Sequence, residues 1–155
     1  MGQRRKLRVC LVASAGGHLS QLLKIMPHLE GHQTSVVTTS EAVRAGLTRF
    51  GAVHVVGECN REHLLQVVKV FSRCWKAMRR ERPDVVVSTG AAAGCLCCLL
   101  GKLFGARVVW VDSITNVEHM SLSGRMVRPV ADLCLVQWPE LAQRYPGTQY
   151  VGNII

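Results

Sequence analysis

Short runs of consecutive apolar residues recur along the chain, at Leu7–Ala13, Ser35–Thr38, Val53–Val56, Val85–Ser88, Val108–Val111 and Leu133–Val136. They do not alternate with polar positions, and this is the pattern of parallel strands buried on both faces. Between them apolar positions return at helical spacing, over Leu19–Leu29, Glu41–Phe50, Glu62–Glu81, Ala92–Phe104 and, more weakly, Gly124–Val130. Strand and helix taking turns in this way predict an α/β protein with a Rossmann-like, doubly wound parallel sheet. No internal repeat, low-complexity tract or linker interrupts the pattern, so residues 1–155 are expected to form one domain.

The Glu62–Glu81 segment carries two rows at the same spacing. Leu64, Val68, Phe71, Trp75 and Met78 predict one buried stripe, and Lys69, Arg73, Lys76 and Arg80 form a basic row on another face. That row is either an ordinary solvated face or a surface that attracts anionic lipid headgroups.

Composition narrows the partners. Nineteen basic and ten acidic residues leave a formal charge of +9, which favours polyanions: phosphorylated ligands, an anionic membrane or nucleic acid. No helix-turn-helix, zinc or stacking-platform pattern accompanies the charge, so a nucleic-acid partner is not expected. The seven cysteines sit mainly inside apolar segments and read as reduced core residues of a cytosolic chain. Cys95, Cys97 and Cys98 lack the paired spacing of a zinc site, so no metal and no cofactor are expected. No secretory signal is visible, and no apolar run approaches the ~20 residues a membrane span needs.

Candidate chemistry lies where strands give way to helices, the edge at which parallel sheets bind ligands. Ser14-Ala15-Gly16-Gly17-His18 follows the first strand, and its glycines allow close backbone approach at a helix N-terminus that favours phosphate. It matches neither the dinucleotide fingerprint nor a nucleotide P-loop. Ser88-Thr89-Gly90-Ala91-Ala92-Ala93-Gly94 brings hydroxyls and flexible backbone to a second helix start, so the two loops together suit a diphosphate. A third segment, Val111 to Arg125, is dense in hydrogen-bonding groups including Asp112, Asn116, Ser123 and Arg125, with Ser123 expected to cap a helix.

Taken together, GGHLSQLL, STGAAAG, SLSGR with VADLCLVQWPEL, and the closing YVG resemble the acceptor-side subunit of the two-part UDP-N-acetylglucosamine transferase of lipid-linked oligosaccharide synthesis, with its bacterial exopolysaccharide relatives. More distantly, the glycine–histidine loop is similar to that of the peptidoglycan GlcNAc transferase. The resemblance implies the N-terminal, acceptor-side half of a GT-B glycosyltransferase. The UDP-sugar donor would bind a separate partner subunit, forming a heterodimer, and the chain ends where a second domain would begin in a one-chain enzyme.

It implies inverting transfer of a sugar, GlcNAc by family, to a lipid-diphosphate-linked saccharide acceptor. A non-catalytic membrane adaptor that recruits and activates such a partner is the alternative. His18 and Asp112 are the rival candidates for the catalytic base, with orienting the acceptor as the alternative role for His18. Ser14, Gly16, Gly17, Ser88, Thr89, Gly90, Gly94, Asn116, Ser123 and Arg125 are the expected acceptor and diphosphate contacts. Where the family commonly reads V-E-S-F-A-R-V-K-S, this chain reads V-D-S-I-T-N-V-E-H, which keeps a carboxylate at Asp112 and removes two positive charges at Asn116 and Glu118. The expected location is cytoplasmic, peripheral on the cytoplasmic face of an anionic membrane, with Arg4, Arg5, Lys6 and Arg8 contributing.

Overall fold

The computed structural model describes residues 5–59 and 62–154. Arg4, one of the expected membrane contacts, lies outside them. Seven strands form one parallel sheet: β1 Arg8–Ala13, β2 Gln33–Thr38, β3 Ala52–Val55, β4 Val85–Ser88, β5 Arg107–Val111, β6 Leu133–Val136 and β7 Thr148–Tyr150. Their order, β3-β2-β1-β4-β5-β6-β7, is that of a doubly wound sheet. β1 pairs with β2 on one side (Cys10 opposite Ser35) and with β4 on the other (Cys10 opposite Val86). The chain therefore reverses direction of winding between β1 and β4, and a crevice opens beyond their carboxyl ends.

Among the described residues six α-helices accompany the strands: α1 Gly17–Ile25, α2 Arg44–Leu47, α3 Leu64–Glu81, α4 Ala91–Leu103, α5 Leu122–Val127 and α6 Pro139–Arg144. The predicted helix Leu19–Leu29 becomes α1 followed by a 3-10 turn over Met26–Leu29, because Pro27 cannot continue the α-helical bonds. Glu41–Phe50 similarly divides into two 3-10 turns around the single turn of α2. α6 and β7 have no counterpart in the apolar pattern; both are short, with only one residue, Leu141, fully buried between them.

The largest correction concerns α3. Of the predicted buried stripe only Met78 is buried; Leu64 is 76% exposed, Val68 57% and Phe71 43%, with Leu65 beside them at 78%. Val70, Cys74, Ala77 and Met78 face the core instead. Both rows repeat every three to four residues, so periodicity alone does not choose which one meets the sheet. The smaller side chains pack inward because α3 also lies against the closely packed, alanine- and cysteine-rich α4.

Two cores flank the sheet. One joins Cys10, Val12, Val86, Val108 and Trp110 to α3 and α4; the other joins Val9, Leu11 and Val36 to α1. The cysteines other than half-buried Cys59 are buried, all seven are free, and burial pushes the Cys10 thiol up to about 12. On the α1 side, β4, β5 and β6 have less cover: Val85, Val109 and Leu135 are half-buried and line an apolar cleft of about 410 Å³ with Ile25, Leu29 and Ile154.

Candidate functional site

The two glycine-rich loops meet at the switch point. His18 Nδ1 lies 2.8 Å from the Thr89 carbonyl oxygen, and the Thr89 hydroxyl donates to the His18 carbonyl oxygen at 2.6 Å. A carbonyl only accepts, so Nδ1 carries a proton, and the lone pair of the neutral form of the ring is on Nε2. This exchange ties the start of α1 to the start of α4 and sets the imidazole in the tautomer of a general base. The ring is half-buried, and a Cβ on Gly90 would stand 2.4 Å from its Cε1. Gly90 also has φ +140°, so glycine is required there twice over. Ala91, the next residue, is held at φ +69°, a strained conformation for a side chain with a Cβ.

Of the expected phosphate-binding groups, some face outward and others do not. Gly16 and Gly17 are exposed at the N-terminus of α1, Ser14 is half-buried beside them, and the Ala15 amide is held by the Thr39 hydroxyl at 3.2 Å. Ser88 and Thr89 are fully buried: the Ser88 hydroxyl accepts from the Gly90 amide (3.2 Å), and that of Thr89 is committed to His18. Gly94 sits inside α4 where a Cβ would meet Ser88 Oγ at 2.1 Å. These three shape the second loop from within. The groups it leaves for an anion are the first-turn amides of α4, which lack intrahelical acceptors.

Asp112 is equally committed. It is 1% exposed, and its carboxylate accepts from Trp110 Nε1 (3.1 Å), Ser121 Oγ (2.6 Å), the Ser121 amide (3.0 Å) and Asn116 Nδ2 (3.1 Å). Four donors fill its lone pairs and fold the β5–α5 segment around it. Asn116 is thereby turned inward. Ser121, not Ser123, caps α5, accepting from the Gly124 amide at 2.9 Å. A Cβ on Gly124 would stand 2.6 Å from Asp112 Oδ1, so α5 presses directly on this hub. Ser123 is half-buried and Arg125 exposed on α5.

The sequence reading overlooked Gln137. Fully buried after β6, it donates from Nε2 to Gln21 Oε1 and to the Asp112 carbonyl oxygen, both at 2.9 Å, and accepts from the Ile154 amide at 2.7 Å. It joins α1, the end of β5 and the C-terminal segment across the carboxyl edge of the sheet. An uncharged polar residue directly behind an apolar strand was the available signal. Glu58 was missed too: it accepts from the Thr39 hydroxyl at 2.6 Å, one hydrogen bond away from the first loop.

Comparison with known proteins places this geometry among relatives. A family model described as "Oligosaccharide biosynthesis protein Alg14 like" matches residues 40–154, which takes in the second and third site segments but not His18. The chain is 28% identical over 184 residues to the mouse UDP-N-acetylglucosamine transferase subunit ALG14, covering 98% of this chain and 85% of the mouse protein. It is 40% identical to the fission yeast (Schizosaccharomyces pombe) subunit of the same name over 77 residues, 46% of this chain and 37% of that one. Among solved structures, Acinetobacter baumannii MurG superposes with a TM-score of 0.74 at 16% identity, covering 95% of this chain and 45% of MurG. A UDP-N-acetylglucosamine 2-epimerase gives 0.73 at 16% identity, over 96% of this chain and 49% of the other. The chain thus has the fold of one half of these longer, GT-B-type proteins.

Proposed function

The chain belongs to the Alg14-like family of oligosaccharide biosynthesis proteins, and from that premise we propose that it is the acceptor-side subunit of a two-chain UDP-N-acetylglucosamine transferase. The observation that carries this reading is the His18–Thr89 lock at the switch point, which leaves Nε2 free as a base on a domain with the fold of half a GT-B protein. The names of the curated relatives, a transferase "subunit", support a partner chain.

In the proposed reaction an acceptor hydroxyl attacks the anomeric carbon of the UDP-sugar from the face opposite the UDP. The new C–O bond forms as the bond to the UDP oxygen breaks, and Nε2 of His18 takes the hydroxyl proton. Amides of Gly16 and Gly17 and of the first turn of α4 receive the acceptor's diphosphate, with Ser14 and Arg125 at the margins. Asp112 and Asn116 hold the third wall in place without entering the chemistry. The partner supplies the donor site and covers the apolar cleft over β4, β5 and β6.

The membrane side of the proposal rests on α3 and α4. Leu64, Leu65, Val68 and Phe71 run into Leu103 and Phe104, all exposed, with Trp75 packed edge-on against Phe104 at 5.0 Å. Lys69, Lys76 and Arg80 are exposed alongside. An apolar ridge edged by cations suits a peripheral site on anionic lipid, and no helix among the described residues is long and apolar enough to cross a membrane.

Reconstitution with a donor-binding partner and a lipid-diphosphate acceptor tests the function. The pair is expected to transfer GlcNAc and the chain alone to transfer none, binding UDP-GlcNAc weakly. Turnover without a partner, or full activity of a His18→Ala pair, would overturn the reading; the second outcome leaves an adaptor.

A further inference from the structure

At the amino edge of the sheet, opposite the catalytic crevice, lies a cavity of about 750 Å³ into which five arginines and one aspartate converge, a formal +4. Arg8 opens β1, Arg107 opens β5, Arg79 and Arg82 end α3, and Arg5 precedes β1. Asp84 is already paired. It accepts from the Arg8 amide at 2.8 Å and from Arg8 Nη2 at 3.1 Å, with Arg5 at 3.9 Å, and these contacts hold its carboxyl down at about 2. Arg79, Arg82 and Arg107 have no ion pair among the described residues.

A helix C-terminus attracts cations by itself, which accounts for basic residues near the last carbonyls of α3. It does not account for Arg8 and Arg107, which come from strands, or for a concave space between them. Arg82 adds a further point. It closes α3 in the left-handed conformation (φ 43°), a position where glycine is the ordinary choice. The fold would be served at least as well without that side chain.

One wall of the cavity is Phe104, whose ring joins the exposed aromatic row of α3 and α4. A group held by the arginines therefore lies next to the apolar ridge. We propose that this cavity is a binding site for a phosphate-monoester group on an anionic lipid, with the phosphate among Arg79, Arg82 and Arg107 and the acyl chains passing Phe104 onto the ridge. Guanidinium forks match phosphate oxygens in pairs, and the unneutralised charge here suits a group carrying more than one negative charge. The inference rests on the membrane-facing reading above and adds headgroup selectivity to it.

The test compares the reconstituted pair on phosphatidylcholine vesicles doped with phosphatidic acid or, at matched zeta potential, with phosphatidylserine. The wild-type chain is expected to prefer phosphatidic acid by about tenfold. Arg82→Gly, which suits the helix end, and Arg107→Gln should lose that preference while still binding both vesicles; Phe71→Asp should weaken both. Equal wild-type binding to the two vesicles overturns the site and leaves the membrane surface standing. If no vesicle binds, the membrane reading fails, and calorimetry with glycerol 3-phosphate decides the site. Heat of binding that Arg82→Gly abolishes assigns the cavity to a soluble phosphate ester, and no heat overturns it.

Discussion

A single hydrogen bond decides what His18 is able to do. Because Nδ1 donates to the Thr89 carbonyl, Nε2 is the basic atom, and removing it is expected to lower kcat of the reconstituted pair by ~10²–10⁴-fold with KM little changed. His18→Asn should lose kcat to a similar extent, which pre-steady-state transfer would read. Asp112 behaves oppositely. Asn in its place brings an amide NH₂ against donors that now point at oxygens, so Asp112→Asn should cost about 1–3 kcal/mol in denaturant melts, while folded protein keeps most of its turnover. His18 stood out in the sequence because histidine is an unusual residue to place after two glycines at a helix start. The inward turn of Asp112 was not legible, since its partners Ser121 and Trp110 are set by how α5 docks on β5.

At the scale of elements, α3 carries two apolar rows and buries one. Leu65→Asp and Phe71→Asp are expected to leave the thermal transition nearly unchanged, within ~0.5 kcal/mol, and to weaken vesicle flotation; Cys74→Asp should unfold the domain. Undiminished flotation of both ridge variants would remove the ridge from the membrane. The amino ends of β1 and β4 are joined by Asp84, whose carboxyl is lowered from 3.8 to about 2 by Arg8. A depressed carboxyl stabilises the folded state fully above its unfolded value and loses that effect as pH falls through the folded one. Acid titration should therefore show a decline between about pH 4 and pH 2 that Asp84→Asn flattens, by a small amount because the pair is exposed.

For the whole molecule, a doubly wound sheet needs cover on both faces, and here β4, β5 and β6 are less covered on the α1 side. Leu135→Glu, at a half-buried position of that cleft, is expected to keep the circular dichroism of the wild type and to lose co-purification with the donor-binding subunit. Co-purification that survives the charge would place the partner elsewhere.

The sequence by itself determined the α/β class, the six longer-patterned strands, and the meeting of glycine, histidine and helix starts at one sheet edge. Those features are local: β-branched apolar runs, glycines where the backbone must turn tightly, and the rule that a parallel sheet gathers its loops at the carboxyl ends of its strands. Tertiary structure alone decided which stripe of α3 faces inward, that Ser88, Thr89 and Asp112 spend their hydrogen bonds inside the fold, and that Gln137 braces three elements at once. A side chain's type states which bonds it is able to make, but which partner fills them depends on how the elements dock, within one folded segment for Asp112 and Ser121, 9 apart, or across the sheet for Gln137 and Gln21, 116 apart.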